Sequence, residues 1–285
     1  MNTKLLSLYG MKWNPFSPDV PLEGVHRTRT VESFSWRVEN LAREGGFALV
    51  TGAPGSGKSV ALRLLVDRLS GLRDLKVGLL SRPQANLADF YRELGDIFGV
   101  PLRPHNRWAG AKELREKWQA HIETSLFRPV LVVDEAQEMQ SPVLNELRLL
   151  CSAHLDSSLL LTTVLAGDGR LVQKLHSDEM LPLSSRIRAR LSMDRATPEQ
   201  LRESLQYALE KAGAPKLMTV ELMTTLCEHA AGNMRALMTM ADELLAQGAQ
   251  REARQLDEKL YLELFAVPSP AEPTKKAIAQ GGRRR

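Results

Sequence analysis

Eight consecutive residues, Gly52-Ala53-Pro54-Gly55-Ser56-Gly57-Lys58-Ser59, fit the phosphate-cradling pattern G-x-x-x-x-G-K-[ST]. The glycines free backbone N–H groups to wrap an anion. Lys58 supplies a cation for β- and γ-phosphates, and the Ser59 hydroxyl suits Mg²⁺. Val60 completes this cradle as the helix begins. A second run, Val130-Leu131-Val132-Val133, ends in Asp134-Glu135. An apolar strand ending in two carboxylates beside such a loop places Asp134 on Mg²⁺ and Glu135 where it polarises an attacking water.

A P-loop works only where a buried strand turns into a helix N-terminus, whose dipole favours negative charge. The flanks meet that demand: Phe47-Ala48-Leu49-Val50 precedes the loop, and Val60, Leu62, Leu64, Leu65 and Leu69 follow at helical spacing. Strands are predicted at 47–51, 75–81, 129–133 and 159–166, and helices at 30–43, 58–70, 85–98, 110–125 and 141–154. Continuous apolar strands between amphipathic helices indicate an α/β fold with a parallel sheet covered on both faces. Residues 1–24, interrupted by Pro15, Pro18 and Pro21, read as loop.

After Arg195 the strand signal ends. Thr197-Pro198-Glu199-Gln200 is a capping box with proline at the first helical position. Further helices are predicted from Thr219 to near Gly232, from Asn233 to Leu245 and over 257–265, making residues 196–265 a small helical lid on the 31–195 core. Residues 266–285 read as a disordered basic tail.

At 285 residues with 43% hydrophobic and 25% charged composition, the chain is of globular type. No stretch approaches the roughly 20 continuous apolar residues of a membrane span, and the start is no secretory signal, so a cytoplasmic protein without a membrane partner is expected. Cys151 and Cys227 lack metal-ligand spacing and read as reduced core thiols. The net charge of +4 resides in the last twenty residues, where Lys275, Lys276 and Arg283 to Arg285 face only Glu272. Residues 1–265 hold 33 basic and 33 acidic side chains. Nucleic-acid contact by the body must therefore come from local clusters.

Two further clusters bear on the class. Ser184-Ser185-Arg186-Ile187-Arg188-Ala189-Arg190 precedes the lid, and Gly232-Asn233-Met234-Arg235 opens its third helix. With the P-loop and Asp134-Glu135, they make residues 10–265 resemble the AAA+ ATPases. The resemblance implies ATP and Mg²⁺ as cofactors. It implies Arg186 as an arginine finger acting on a neighbouring subunit, with Arg188 and Arg190 as rivals, and Arg235 as the lid residue contacting nucleotide. It places a first sensor at the end of the fourth strand, where Thr163 and Asp168 are the polar candidates. A finger supplied in trans implies head-to-tail self-assembly into a ring or helical filament.

Tyr9-Gly10-Met11-Lys12-Trp13-Asn14-Pro15-Phe16 and Asp134-Glu135-Ala136-Gln137 resemble a narrower group: the ExeA-type ATPases and the transposon helpers TniB and TnsC, with MuB and IstB more distant. This resemblance implies a base pocket lined by the 1–30 segment, through Asn14, Phe16 and His26 within Gly24-Val25-His26-Arg27. It also implies two functions. One is a helper that assembles on double-stranded DNA and recruits or regulates a transposase. The other is a secretion-associated ATPase, which in its relatives continues into a membrane span and a peptidoglycan-binding domain. The chain ends before either, which favours the helper. A stand-alone nucleotide switch remains a third reading. For DNA, the candidates are Arg103, Arg107, Lys112 and Arg115, grouped with His105, Lys117, Trp108 and Trp118. Glu113 and Glu116 dilute that patch, and Trp118 at helical spacing from Leu114 reads as core.

Overall fold

The computed structural model describes residues 2–100, 107–124, 127–153 and 157–265. Helices α1 (Asn2–Tyr9) and α2 (Arg29–Glu44) precede strand β1 (Gly46–Gly52). There follow α3 (Lys58–Ser70), β2 (Leu75–Leu80), α4 (Leu87–Phe98), α5 (Arg107–Glu123) and β3 (Arg128–Val133). Next come α6 (Ser141–Cys151), a small hairpin of β4 (Ser152–Ala153) and β5 (Ser158–Leu159), β6 (Thr162–Gly167), α7 (Gly169–Leu175), the one-turn α8 (Leu181–Ser184) and β7 (Ile187–Met193). Four helices close the described chain: α9 (Pro198–Ala212), α10 (Val220–Ala230), α11 (Met234–Gln250) and α12 (Glu258–Phe265).

Five parallel strands form the sheet in the order β2-β3-β6-β1-β7. The register sets Thr51 beside Gly167, Gly52 beside Met193 and Val133 beside Leu165. Four strands therefore end at one edge, the side of a parallel sheet where ligands bind at a break in strand order. Helices α2 and α3 cover one face, burying Phe34, Val38, Leu65 and Leu69 against Val50, Val132 and Val164. The helices from α4 to α8 cover the other, with Phe90, Leu94, Leu114, Trp118, Leu147 and Leu183 on Leu49, Leu131 and Leu165. Trp118 is thus core, as its spacing predicted.

A third core lies within the lid, where Leu205, Leu209, Leu222, Leu226, Leu237, Leu244 and Leu256 meet. The predicted capping box at Thr197 and Gln200 is present, and Thr219 and Asn233 cap α10 and α11. Gly213, at φ 96°, stops α9 in the left-handed conformation that favours glycine.

Several expectations need correction. Residues 2–9 are helix rather than loop, and Met11 and Phe16 are buried in the lid core. The Lys12 amide donates to Ala212 O at 2.8 Å. The 1–30 segment is therefore no separate unit: its first part belongs to the lid, while Arg63 of α3 donates to Pro18 O (3.0 Å) and Val20 O (2.8 Å) and holds the next part to the core. The basic stretch at 184–190 leads into a fifth strand. Ile187, Ala189 and Leu191 point inward while Arg188 and Arg190 are exposed, the period-two pattern of a half-covered edge strand. Helix α6 stops at Cys151, and the ladder of β6 begins at Thr162, because the intervening residues turn back as a hairpin. Among the described residues no helix is long and apolar enough to cross a membrane.

Candidate active site

The P-loop leaves β1 at the aligned edge and enters α3. Gly55 and Gly57 sit at φ 83° and 98°, where side chains are strained, and close approach adds to the demand for glycine. A Cβ at Gly52 would lie 2.6 Å from both Met193 O and Ser56 Oγ, and one at Gly55 would lie 2.1 Å from Asn233 Oδ1. Lys58 is 5% exposed, and its Nζ donates to Gly52 O (2.9 Å) and Ala53 O (3.2 Å). Val60 is half-buried on the first turn.

Strand β3 delivers the carboxylates. Ser59 Oγ donates to Asp134 Oδ2 at 2.6 Å, so the P-loop serine and the first carboxylate are already in contact. Asp134 Oδ1 accepts from the Glu135 amide at 2.9 Å. Glu135 itself lies at φ 52°, an uncommon conformation for a residue with a side chain and one that clusters at functional sites. Its exposed carboxylate accepts from Gln137 Nε2, while Gln137 is 6% exposed and its Oε1 accepts from the Asp168 amide at 3.3 Å. Lys174 of α7 donates to Gln137 O (2.8 Å) and Met139 O (2.6 Å), fixing the turn after β3.

The residues present fit a magnesium-bound nucleoside triphosphate. Ser56 Oγ is buried inside the loop without a protein partner, and buried polar groups require one. A hydroxyl and a carboxylate in contact form a hard-oxygen pair suited to Mg²⁺, which keeps much of its water. Among the described residues no cluster of three or more His, Cys, Asp or Glu could hold a metal alone.

The lid meets this loop directly. Arg235 N donates to Gly55 O at 3.2 Å, and Asn233 Nδ2 to Pro54 O at 3.4 Å, so the start of α11 is seated on the P-loop with the Arg235 side chain exposed. Arg186 lies elsewhere. It precedes β7 and donates to Pro182 O, and the seven-residue strand β7 runs from just after it to Met193 beside the loop. At about 3.3 Å per residue that strand spans roughly 20 Å. Arg188 pairs with Glu44 at 2.9 Å, and Arg190 donates to Ser184 O at 3.2 Å.

Other predicted residues are not gathered here. Asn14 donates to Asp242 at 2.7 Å and accepts from the Phe16 amide at 3.0 Å. Phe16, 5% exposed, packs inside the lid, so its ring is not presented to a base. His26 contacts Ser204 Oγ at 3.4 Å and the Tyr207 ring at 5.3 Å, on α9. Thr163 is a correction: it pairs with Phe47 and Leu131 in mid-sheet, is fully buried and lies 3.4 Å from Cys151 Sγ. Asp168 holds the strand-end position. It caps α7 through the Arg170 amide (2.9 Å) and pairs with Arg170 Nε (3.0 Å). Burial works to raise the Asp168 carboxyl, but the bonds from Arg170 and the charges of Arg170 and Lys58 outweigh it and hold it low.

The proposed DNA patch is divided. Arg103 and the Arg107 side chain lie outside the described residues. Lys112 is exposed and pairs with Glu116 at 3.6 Å, whereas Arg115 is half-buried and donates to Leu149 O at 2.5 Å. The roles of Gln137 and Lys174 were not legible in sequence, since each acts through a contact between the ends of β3 and β6.

Sheet order, P-loop, carboxylate-ended neighbouring strand and helical lid define the AAA+ P-loop ATPase fold. A family model described as "AAA domain" matches residues 41–175. The chain is 28% identical over 216 residues to General secretion pathway protein A of Aeromonas hydrophila, covering 74% of this chain and 39% of that protein. It thus spans about two fifths of that relative's length. Among solved structures, Cdc6p of Pyrobaculum aerophilum superposes with a TM-score of 0.69 at 17% identity, over 85% of this chain and 67% of that one. Drosophila ORC bound to DNA gives 0.69 at 15% identity, over 93% and 67%. Residues 41–175 thus match an AAA domain, and the fold is that of the AAA+ P-loop ATPases.

Proposed function

We propose that this ATPase assembles head to tail in its ATP-bound form on double-stranded DNA, in the cytoplasm, and that the assembly recruits or regulates a transposase. The observation that carries the self-assembly is the placement of Arg186. It lies at the end of the sheet opposite its own P-loop, so its guanidinium serves only a neighbour's site. Stacking would bring it to the charge that develops on the transferring phosphoryl group, where an arginine in trans can raise the rate by orders of magnitude. Lys58 and the amides of residues 52–60 bind the phosphates, and Ser59 and Asp134 hold Mg²⁺, which neutralises phosphate charge when bound. Glu135 orients and deprotonates the attacking water. Arg235, beside the loop, contacts the nucleotide from the lid.

The description of Drosophila ORC as bound to DNA supports a DNA template for this fold. The similarity to General secretion pathway protein A favours a second reading, a secretion-associated ATPase. Incubation with a non-hydrolysable ATP analogue, with and without duplex DNA, separates them under the electron microscope. Rings or filaments on DNA that weaken steeply with salt are expected. Tight nucleotide-dependent oligomers indifferent to DNA would select the secretion reading.

A further inference from the structure

The polar groups at the ends of β3 and β6 are joined by one side chain that neither sequence pattern explains. Gln137 is 6% exposed, and both ends of its amide are used. Its Nε2 donates to Glu135 Oε2, and its Oε1 accepts from the Asp168 amide at 3.3 Å. The main chain of Gln137 is held in turn by Lys174 Nζ at 2.8 Å. Gly167 leaves room for this arrangement, since a Cβ there would lie 2.5 Å from Gln137 Oε1. The partner it grips needs holding. Glu135 is exposed, sits in the left-handed conformation and has three side-chain torsions that set where its carboxylate points.

We propose that Gln137 is a positioning residue for Glu135. It anchors one carboxylate oxygen and leaves the other to take the proton of the attacking water, and it ties that aim to the end of β6. A movement of the Gly167–Asp168 peptide, which lies beside Thr51 at the root of the P-loop, is transmitted through one amide to the base. A buried amide with both ends bonded resists rotation, because turning it would break two hydrogen bonds at once. This inference rests on the reading of Glu135 as the general base.

A double-mutant cycle tests it: Gln137→Met, which keeps the volume and loses the amide, Glu135→Gln, and both together, in the full chain. Single-turnover ATP hydrolysis, nucleotide affinity and melting temperature are measured for each. Gln137→Met is expected to lower the hydrolysis rate about 10- to 100-fold, the scale of a misplaced catalytic group, with nucleotide affinity unchanged. In the Glu135→Gln background it should have no further effect, and Gln137→Asn, with its amide retained on a shorter arm, should recover part of the rate. An equal fall in both backgrounds, a fall that only tracks the melting temperature, or an unchanged rate would overturn the inference. If Glu135→Gln alone leaves hydrolysis intact, it is the reading of the base that fails.

Discussion

Burial at Cys151 outweighs every charge nearby. The thiol is pushed up to about 12 even though the Thr163 hydroxyl and the charges of Arg186 and Arg115 pull the other way. Burial also raises Cys227, in the lid. The thiolate is the reactive form, so at pH 8 both residues are protonated and shielded. Ellman's reagent should find no reactive thiol in the folded protein at pH 8 and two in denaturant; rapid reaction of the native chain would contradict this placement. The same scale marks what sequence can reveal. Lys58, Ser59 and Asp134 were legible because the loop pattern and the strand ending encode their chemistry locally. Gln137 and Thr163 were not. One gains its task, and the other loses it, through the register of β6 against β3 and β1, a non-local pairing that no spacing in the chain records.

Among elements, α1 and β7 were missed for related reasons. Both lie at edges, where half of each element faces solvent and the apolar signal is diluted. For the segment after α1 the resemblance implies a base pocket through Asn14, Phe16 and His26, and the structure packs Met11 and Phe16 in the lid core. Met11 and Phe16 are buried among residues of the four lid helices. Truncating a buried phenylalanine removes apolar surface and leaves a cavity, so Phe16→Ala should cost about 3 kcal/mol of stability. Thermal unfolding should show a lower midpoint, with the loss confined to the lid if hydrogen exchange is followed there. A midpoint unchanged in Phe16→Ala would mean that the segment does not support the lid.

For the whole molecule, the proposed completion of the site by a neighbour makes a specific prediction about mixtures. Lys58→Ala should bind no nucleotide but retain a sound Arg186, whereas Arg186→Ala should bind ATP and lack the finger. Each alone is expected to hydrolyse at least about 10³-fold more slowly than the parent, by the scale of an arginine supplied in trans. Mixed, they should recover a measurable part of the rate, because some stacks pair a sound pocket with a sound finger. Activity no greater than the sum of the two would argue for a finger acting within one chain. The charge distribution belongs to this scale as well: with residues 1–265 electrically balanced, any grip on DNA must be local.

The path of the chain between core and lid has a mechanical meaning. The polypeptide passes from one to the other twice. One passage runs through residues 17–25, gripped by Arg63 one turn into α3, and the other through residues 194–197 directly after Met193. A body tied to another at one point can swivel in any direction, but tied at two it turns like a door about the line joining them. The second tie leaves Met193 beside the P-loop, and the first is bonded to α3, the helix that the P-loop opens. From the point where Asn233 meets Pro54, the 17 residues of α11 reach about 25 Å to Gln250. The helix that touches the P-loop at one end therefore carries its other end to the remote side of the lid.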